Sequence, residues 1–312
     1  MHRRTLLGTA LTAAAFVSIL VPGLHAPAVA ADWKSEMKTV RFGILSSENE
    51  KDHTQRYQAF KNYLEENLGV AVETYTASSY DGVIQALAAD QIEFAFLGSS
   101  AYAAAWTETN GGVEPLVSRL QDDGSTGYYS VVTVRCDSGY KKMEDLKGKT
   151  VAFADPDSTS GYAVPYYNLL KQGYDPETYF GATPFAGSHE TGVLGVVNGQ
   201  FDAAATYITN DIAGIPQRMV EKGMIQAGEA CWIWTSPEIT SGPLTARKNL
   251  PDDLKSTVKR LVMEVPEKNP EAFAAMTGNP KQVGWIAVDH ERYAWIVEMR
   301  EEIRKIRRNR GS

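Results

Sequence analysis

Residues 40–100 of the chain read VRFGILSSENEKDHTQRYQAFKNYLEENLGVAVETYTASSYDGVIQALAADQIEFAFLGSS. Short runs of β-branched and aromatic residues alternate in this stretch with segments whose apolar residues recur at helical spacing. Strands are predicted at 40–45, 70–75 and 94–97, and helices at 53–68, at 79–88 and from 99 onward. This βαβαβα order predicts a mostly parallel sheet with helices on both faces.

A second α/β series follows a turn at residues 123–127. Its strands are predicted at 129–135, 150–154, 183–185, 201–205, 233–235 and 244–246, and its helices at 161–170 and 190–197. Residues 251–308 are predicted to be largely helical, with a basic, solvated final helix at 300–310. Because no Gly/Pro/Ser-rich linker separates the two series, we expect two lobes joined by extended crossover strands, with 129–135 and 242–247 as candidates. Lobes joined in this way close on a ligand by a hinge.

The first thirty residues differ from the rest. Arg3 and Arg4 precede an apolar run, and the small residues of Ala28-Val29-Ala30 suit a signal-peptidase site. We therefore expect residues 1–30 to be a cleavable signal peptide of an exported, periplasmic protein. Arg3-Arg4 is also compatible with twin-arginine export, so the export route stays open. No cysteine lies near the cleavage site, so a lipid anchor is not expected.

Composition narrows the class of partner. The 312 residues are 43% hydrophobic and 22% charged, which is ordinary for a globular protein. Without residues 1–30 the chain keeps 29 basic against 38 acidic residues, a net charge of −9. This balance argues against nucleic acid or an anionic membrane as partner. Cys136 and Cys231 fit no metal motif, and the sequence leaves open whether they form a disulfide.

The junction Asp155-Pro156-Asp157-Ser158-Thr159-Ser160-Gly161 joins a predicted strand to a predicted helix. The start of a helix presents unpaired amides and the positive end of the helix dipole. An ordinary helix cap needs one hydroxyl, whereas Ser158, Thr159 and Ser160 offer three in a row. Such a set of donors suits a tetrahedral oxyanion, and we interpret these three residues as ligand-binding.

Other strand-to-helix junctions offer further donors. His189, in Gly187-Ser188-His189-Glu190-Thr191, begins a helix from which it can donate toward the same cleft. Ser99 and Ser100 begin a helix of the first lobe, where a capping role and a ligand contact remain equally open. Tyr80 and Tyr128 can each offer a hydroxyl and a ring wall, although either alone would be typical of a packing residue.

Catalysis is the weaker interpretation. Ser, His and acidic residues are present, but the sequence has no Gly-x-Ser-x-Gly elbow, no P-loop and no metal-ligand spacing. A secreted Ser/His hydrolase therefore remains an alternative, and no metal or cofactor is expected. A sulfonate or sulfate binder and a ligand-sensing partner of a receptor are further alternatives.

Several motifs follow one another in a fixed order between residues 41 and 296. They are Phe42-Gly43-Ile44-Leu45-Ser46-Ser47-Glu48, Tyr80-Asp81-Gly82-Val83-Ile84, Gly127-Tyr128-Tyr129-Ser130-Val131, Asp155-Pro156-Asp157-Ser158-Thr159-Ser160-Gly161-Tyr162 and Gly187-Ser188-His189-Glu190-Thr191. With these motifs the chain resembles the periplasmic phosphonate-binding proteins of ABC importers, within the wider phosphate, phosphite and phosphonate-binding group.

The resemblance implies a type II periplasmic-binding-protein fold that captures a phosphonate, or a similar phosphorus oxyanion, for an inner-membrane ABC permease. It implies that Ser158, Thr159, Ser160 and His189 grip the oxyanion and that Tyr80 and Tyr128 close over it. The expected division is a first lobe at 31–128, a second lobe at 129–240 and a return to the first lobe at 241–312.

Aminoalkylphosphonate binders of this family place two acids around the amine. The resemblance puts the first near Asp211, while the second position is Gly242 and lacks a carboxylate. A buried ammonium group needs paired charge, so an amine-bearing ligand is disfavoured. We expect an acid introduced at position 242 to improve binding of amino-bearing phosphonates. The organic tail of the ligand is not determined by the sequence.

Overall fold

The computed structural model describes residues 33–45, 50–121, 123–278 and 283–310. The predicted signal peptide at 1–30 lies outside the described residues. Among the helices of this described part, none has both the length and the hydrophobicity needed to cross a bilayer.

The described chain alternates strands and helices. The strands are β1 Thr39–Ile44, β2 Ala71–Tyr75, β3 Phe94–Phe96, β4 Val113–Leu120, β5 Gly127–Arg135, β6 Val151–Ala152, β7 Ala203–Asn210, β8 Ala213–Gly214, β9 Ala230–Thr235, β10 Ile239–Thr240, β11 Pro243–Arg247 and β12 Gly284–Ala287. The helices are α1 Trp33–Glu36, α2 Glu50–Leu68, α3 Tyr80–Ala88, α4 Ser99–Glu108, α5 Val164–Lys171, α6 His189–Val197, α7 Ile215–Glu221, α8 Asp252–Lys268, α9 Pro270–Thr277 and α10 Ala294–Arg310. Short 3₁₀ turns lie at Met143–Leu146 and His290–Tyr293, and a π-turn at Thr159–Ala163 runs into α5.

The strands form two sheets, as the two α/β series predicted. The first has the order β12-β4-β11-β3-β1-β2, and the second has the order β10-β5-β7-β6, with β8 beside β7 and β9 beside β5. Only β1–β2, β1–β3 and β6–β7 are parallel pairs of strands, so the expectation of mostly parallel sheets was wrong and both sheets are mixed. In the first sheet, β11 and β12 return from the C-terminal part of the chain and run against their neighbours. In the second sheet, β5 runs against β7, β9 and β10.

The chain passes between the sheets at two short connections. Residues 121–126 join β4 to β5, and residues 241–242 join β10 to β11. The predicted crossover strands at 129–135 and 242–247 lie almost wholly within β5 and β11, each in a single sheet, so the crossings come just before them. The predicted lobe limits at 128/129 and 240/241 stay a prediction.

The first sheet is stabilised by an apolar core that it shares with α2, α8 and α9. Phe42 of β1 stacks on Phe94 of β3 with ring centroids 5.1 Å apart. Leu64 of α2 and Val262 of α8 are fully buried in the same cluster. Burying side chains of this size contributes about 1.5–3 kcal/mol each, so this core anchors one wall of the cleft.

Helix α10 packs against the second-sheet side of the molecule. Ile296, Met299 and Ile303 form a buried stripe at helical spacing in the same cluster as Phe153 and Tyr162. Most of residues 300–310 are exposed, as predicted for a solvated final helix, and Ile303 is the buried residue among them. Helix α10 also forms ion pairs with the segment that follows α5, since Arg310 lies 2.7 Å from Asp175 and 3.4 Å from Glu177.

Cys136 and Cys231 form a disulfide, with Cα atoms 5.0 Å apart. The sequence left this pairing open because their separation of 95 residues says nothing about distance. In the structure β5 and β9 are antiparallel neighbours with Val134 opposite Cys231, which brings the two thiols together.

Candidate oxyanion-binding site

A cavity of about 350 Å³ lies where the two crossings bring the sheets together. Small-molecule sites have volumes of this order. Six of the nine predicted site residues line it: Tyr80, Tyr128, Ser158, Thr159, Ser160 and His189. The other three, Ser99, Ser100 and Asp211, lie outside its lining.

The turn that carries Ser158, Thr159 and Ser160 is built by its own hydroxyl and by a glycine. Ser158 caps the following helix, because its Oγ accepts a hydrogen bond from the Gly161 amide at 3.0 Å. A side chain at Gly161 would collide with Ala154 and approach His189 Cε1 to 2.9 Å, so the glycine lets the turn and the histidine meet. Amides of a first helical turn have no partner within the helix. The amides of Thr159 and Ser160 are therefore donors at the cavity.

His189 lies beside this turn. Its Nε2 is 3.1 Å from Ser158 Oγ, and its Nδ1 is 3.1 Å from Thr206 Oγ1. Burial lowers the pKa of His189 to about 3, with a further contribution from the charge of Arg218. The imidazole is thus neutral at physiological pH and carries one N–H. Which nitrogen bears that proton depends on the direction of the two hydroxyl contacts.

Tyr128 on β5 completes the group of hydroxyls. Burial raises the pKa of Tyr128 to about 12, while hydrogen bonds with Thr159 and Ser160 act in the opposite direction. The phenol therefore stays protonated and is available as a donor. Its ring contacts the ring of Tyr207 edge-on at 5.7 Å, and Tyr207 in turn contacts His189 at 5.1 Å.

Tyr80 comes from the opposite side of the cleft. It is the first residue of α3, which Ser79 caps by accepting from the Gly82 amide. The Tyr80 amide donates to Asp155 Oδ2 at 3.3 Å, so a first-sheet helix touches the loop before Ser158. Burial raises the pKa of that Asp155 carboxyl.

Ser99 and Ser100 join the two sides and do not face the cavity. Ser99 Oγ donates to the carbonyl of Thr240. The Ser100 amide donates to Thr159 Oγ1 at 2.8 Å, and Ser100 Oγ accepts from Arg300. Both serines are buried, and their hydroxyls are used in contacts between the sheets.

Asp211 and Gly242 occupy the two positions at which aminoalkylphosphonate binders carry acids, and neither places a carboxylate in the cavity lining. Asp211 is exposed on the turn between β7 and β8, where its carbonyl accepts from Gln217. Gly242 does line the cavity, but a Cβ there would overlap the carbonyl oxygen of Leu97 and lie 2.8 Å from Gly98 Cα. The expectation that an acid at 242 would serve an amine stays a prediction, and the neighbouring backbone argues against it because it leaves a side chain no room.

The groups at this site are neutral hydrogen-bond donors that suit an anionic ligand. Hydroxyls, helix amides and a neutral imidazole converge, and Ser158 is hydrogen-bonded to an imidazole whose other nitrogen meets a hydroxyl and not an acid. A nucleophilic triad would need an acid at that place to orient and charge-stabilise the histidine. Within the described residues, no group of three or more His, Cys, Asp or Glu side chains is placed to hold a metal ion.

Comparison with known families identifies the family of the chain. The model of the family described as "ABC transporter, phosphonate, periplasmic substrate-binding protein" matches residues 42–293, which include every cavity donor described above. The chain belongs to this phosphonate-binding family. The predicted resemblance is confirmed, and with it the type II periplasmic-binding fold.

Individual relatives agree with the family. The Phosphonates-binding periplasmic protein of Escherichia coli (strain K12) is 29% identical over 320 residues, covering 100% of this chain and 89% of the relative. The Phosphate-import protein PhnD of Mycolicibacterium smegmatis is 30% identical over 233 residues, covering 72% of this chain and 71% of the relative. The crystal structure of a binding protein component of an ABC phosphonate transporter from Pseudomonas aeruginosa is 27% identical. It has a TM-score of 0.75 and covers 84% of this chain and 85% of that one.

The cavity of this phosphonate-binding family member also contains residues that the sequence did not reveal. Arg56 of α2, Arg119 of β4 and Arg218 of α7 line it. The predicted donors are hydroxyls, helix amides and a histidine, and no lysine or arginine stands at the predicted junctions. The only sequence signal is Arg119 in a strand that is otherwise mostly apolar, and one arginine on a strand is also typical of a sheet edge.

Proposed function

We propose that the chain binds the PO₃ group of a phosphonate at Ser158, Thr159, Ser160 and His189, with Tyr80 and Tyr128 closing over it. The observation that supports this most is the convergence of these six side chains on one cavity. Three oxygens of a tetrahedral anion each need more than one donor. The hydroxyl-bearing turn at 158–160, the imidazole of His189 and the phenols of Tyr80 and Tyr128 supply these donors.

The donors are also neutral and shielded from water. Hydrogen bonds to an ionised acceptor are about twice as strong as neutral ones, and a water-excluded site strengthens them further. Since the pKa of His189 falls to about 3, the imidazole does not compete for a proton with a bound phosphonate at neutral pH. Binding should therefore vary little between pH 6 and 8 except where the ligand itself titrates.

Contacts between the two sides define a closed form of the cleft. The Tyr80 amide meets Asp155, and the Ser100 amide meets Thr159. We propose that ligand binding favours this form and that an inner-membrane ABC permease recognises it. We further propose that residues 1–30 direct export. Because Arg3-Arg4 is compatible with the twin-arginine route, an export test should include cells that lack that route.

Isothermal titration calorimetry with the mature protein tests the ligand class. We expect saturable binding of methylphosphonate and weaker binding of phosphate, phosphite and alkylsulfonates. Saturable binding of a sulfonate alone would overturn the proposal. Size-matched methylphosphonate and methanesulfonate form the decisive pair, because they differ in charge and in the number of protons that they can donate.

We also propose that the chain is a binding protein and does no chemistry on its ligand. Ser158 and His189 approach within 3.1 Å, but no acid supports the histidine. Incubation with phosphonate monoesters and carboxylic esters should leave them unchanged over hours. Turnover that disappears in Ser158→Ala would replace this proposal with the hydrolase interpretation.

A further inference from the structure

The cavity that holds the oxyanion donors also has cationic side chains in its lining. Arg56, Arg119 and Arg218 line it together with Trp285, whereas Glu221 is the one acid in the lining of the described chain. Glu221 is exposed at the end of α7. The lining of the cavity therefore carries more positive than negative side chains, although the chain without residues 1–30 has a net negative charge.

Arg119 is the most informative of the three arginines. It lies directly opposite Trp285 in the β4–β12 pairing, and its guanidinium carbon is 5.7 Å from the centre of the Trp285 ring. Among the described residues the guanidinium makes that ring contact and no hydrogen bond or ion pair. Burial lowers the pKa of Arg119, and the charges of Arg56 and Arg218 act in the same direction. Arginine nevertheless stays charged in proteins, so this partly buried group is a cation with five donors.

Arg56 and Arg218 approach one another from two different elements. A Cβ built on Gly278 would lie 3.4 Å from both Arg56 Cζ and Arg218 Nη1, so both guanidinium groups border the same glycine. Arg56 is held by a 2.9 Å hydrogen bond to the Met276 carbonyl, and Arg218 is held over the Tyr207 ring at 5.5 Å. Both guanidinium groups therefore border the cavity near Gly278.

Among the described residues, the cavity lining offers one acid that could pair with an ammonium tail, the exposed Glu221. Asp211 is outside the lining and a carboxylate does not fit at Gly242, so an amine would meet three guanidinium groups and one exposed acid. A planar guanidinium instead matches carboxylate and phosphoryl groups, which accept two parallel hydrogen bonds from it.

We infer that the preferred ligand is a phosphonate whose short carbon chain ends in a second oxyanion, a carboxylate or a phosphoryl group, held by Arg119 with Arg56 and Arg218. This inference rests on the proposed function, because the first oxyanion occupies the site of Ser158–Ser160 and His189. It assigns a tail specificity opposite to that of an aminoalkylphosphonate binder.

Calorimetry at one pH and ionic strength tests the inference with ligands of similar length. The set is propylphosphonate, 2-aminoethylphosphonate, 3-phosphonopropionate and ethane-1,2-diphosphonate. We expect at least one of the two doubly anionic ligands to bind roughly tenfold or more tightly than propylphosphonate, the scale of one charge-assisted hydrogen bond. The better of the two identifies the second group as carboxylate or phosphoryl.

Two arginine variants test whether Arg119 causes the preference for ligands with two anionic groups. Arg119→Met should reduce the preference for the doubly anionic ligand over propylphosphonate by about tenfold. Arg260→Met is the matched control, because Arg260 is exposed on α8 and pairs with Glu264 outside the cavity lining. It should leave the preference unchanged.

The outcomes separate this inference from the proposed function. Propylphosphonate binding as tightly as both doubly anionic ligands overturns the tail inference and leaves phosphonate binding intact. Failure of all four phosphonates to bind overturns the proposed function itself. The wild-type comparison does not depend on any variant, so the test holds even if Arg119→Met does not fold.

Discussion

Arg300 Nη2 lies 2.7 Å from Asp157 Oδ1, and Nη1 of the same guanidinium donates to Ser100 Oγ at 2.6 Å. Asp157 directly precedes the oxyanion turn, whereas Ser100 belongs to α4 beside the first sheet. Arg300 on α10 therefore clasps the two sides of the cleft immediately behind the candidate site. Because both partners are largely buried, this pair is less screened than a surface salt bridge.

Removing the clasp should weaken ligand binding without touching the ligand. We expect Arg300→Met to reduce affinity for methylphosphonate by about 1 kcal/mol, or roughly fivefold, because the closed form loses a partly buried ion pair. Arg304→Met on the same helix is the control, since Arg304 is exposed and makes no ion pair with the described residues. Equal affinities of both variants and the wild type would mean that the clasp does not bias closure.

Two single substitutions test the oxyanion donors directly. His189→Ala and Thr159→Ala should each weaken phosphonate binding by roughly 1.5–3 kcal/mol, the scale of a hydrogen bond to a charged group. Thr257→Ala on α8, outside the cavity lining, controls for the loss of a threonine. Calorimetry provides the affinities, and wild-type affinity in both site variants would move the ligand away from this turn.

The pKa of His189 also predicts a pH dependence of stability. In the unfolded chain a histidine takes up a proton near pH 6.5, whereas folded His189 resists protonation until about pH 3. Between these values the unfolded state binds more protons, so the stability contributed by neutral His189 is complete above pH 6.5. It is lost as the pH falls, by up to about 1.4 kcal/mol per unit.

Urea unfolding at pH 7, 6 and 5 measures this effect as a difference. The free energy of unfolding should fall more steeply with acidity in the wild type than in His189→Gln, because glutamine does not titrate. Groups common to both proteins cancel in the comparison. Parallel curves for the two proteins would show that His189 is not buried in its neutral form.

The strand-to-helix junctions and the hydroxyls of the candidate site were predictable from the sequence, because both depend on residues that are close together in the chain. Strand-to-helix junctions followed from hydrophobic periodicity, and the hydroxyls of Ser158 and Thr159 follow a strand directly. Their convergence with His189 on one cavity followed from the rule that ligands bind at the carboxyl ends of strands.

The features that sequence did not predict depend on contacts between distant segments. Arg119 and Trp285 meet because β12 pairs with β4, a pairing at a sequence separation of 166 (285 − 119) that no local pattern encodes. The buried side of α10 shows only as a weak apolar spacing among many charges. The mixed strand directions likewise depend on where the C-terminal strands insert, which periodicity does not determine.

The disulfide should contribute to stability but not to binding. Cys136 and Cys231 close a loop with a sequence separation of 95, and removing such a cross-link costs about 2–5 kcal/mol. We therefore expect Cys136→Ser/Cys231→Ser to lower the melting temperature substantially while the affinity for methylphosphonate stays within about twofold. Neither cysteine lines the cavity. An unchanged melting temperature would contradict the prediction, and a parallel measurement on reduced wild-type protein controls for the serines.

Gly242 lies at the crossing between β10 and β11, and its lack of a side chain is required by the neighbouring backbone. A Cβ would overlap the Leu97 carbonyl and crowd Gly98, which itself lies close to Thr159. We expect Gly242→Ala to destabilise the fold by about 1–3 kcal/mol, as overpacking does, and Gly242→Asp to bring no gain in 2-aminoethylphosphonate binding. Gly192→Ala is the control, since a Cβ there meets only an ordinary contact at 3.4 Å from Ala204.

Urea unfolding measures the change in stability, and calorimetry measures the binding of 2-aminoethylphosphonate. Tighter binding of 2-aminoethylphosphonate by Gly242→Asp would show that the crossing yields to a side chain and that the cavity accepts a cationic tail after all.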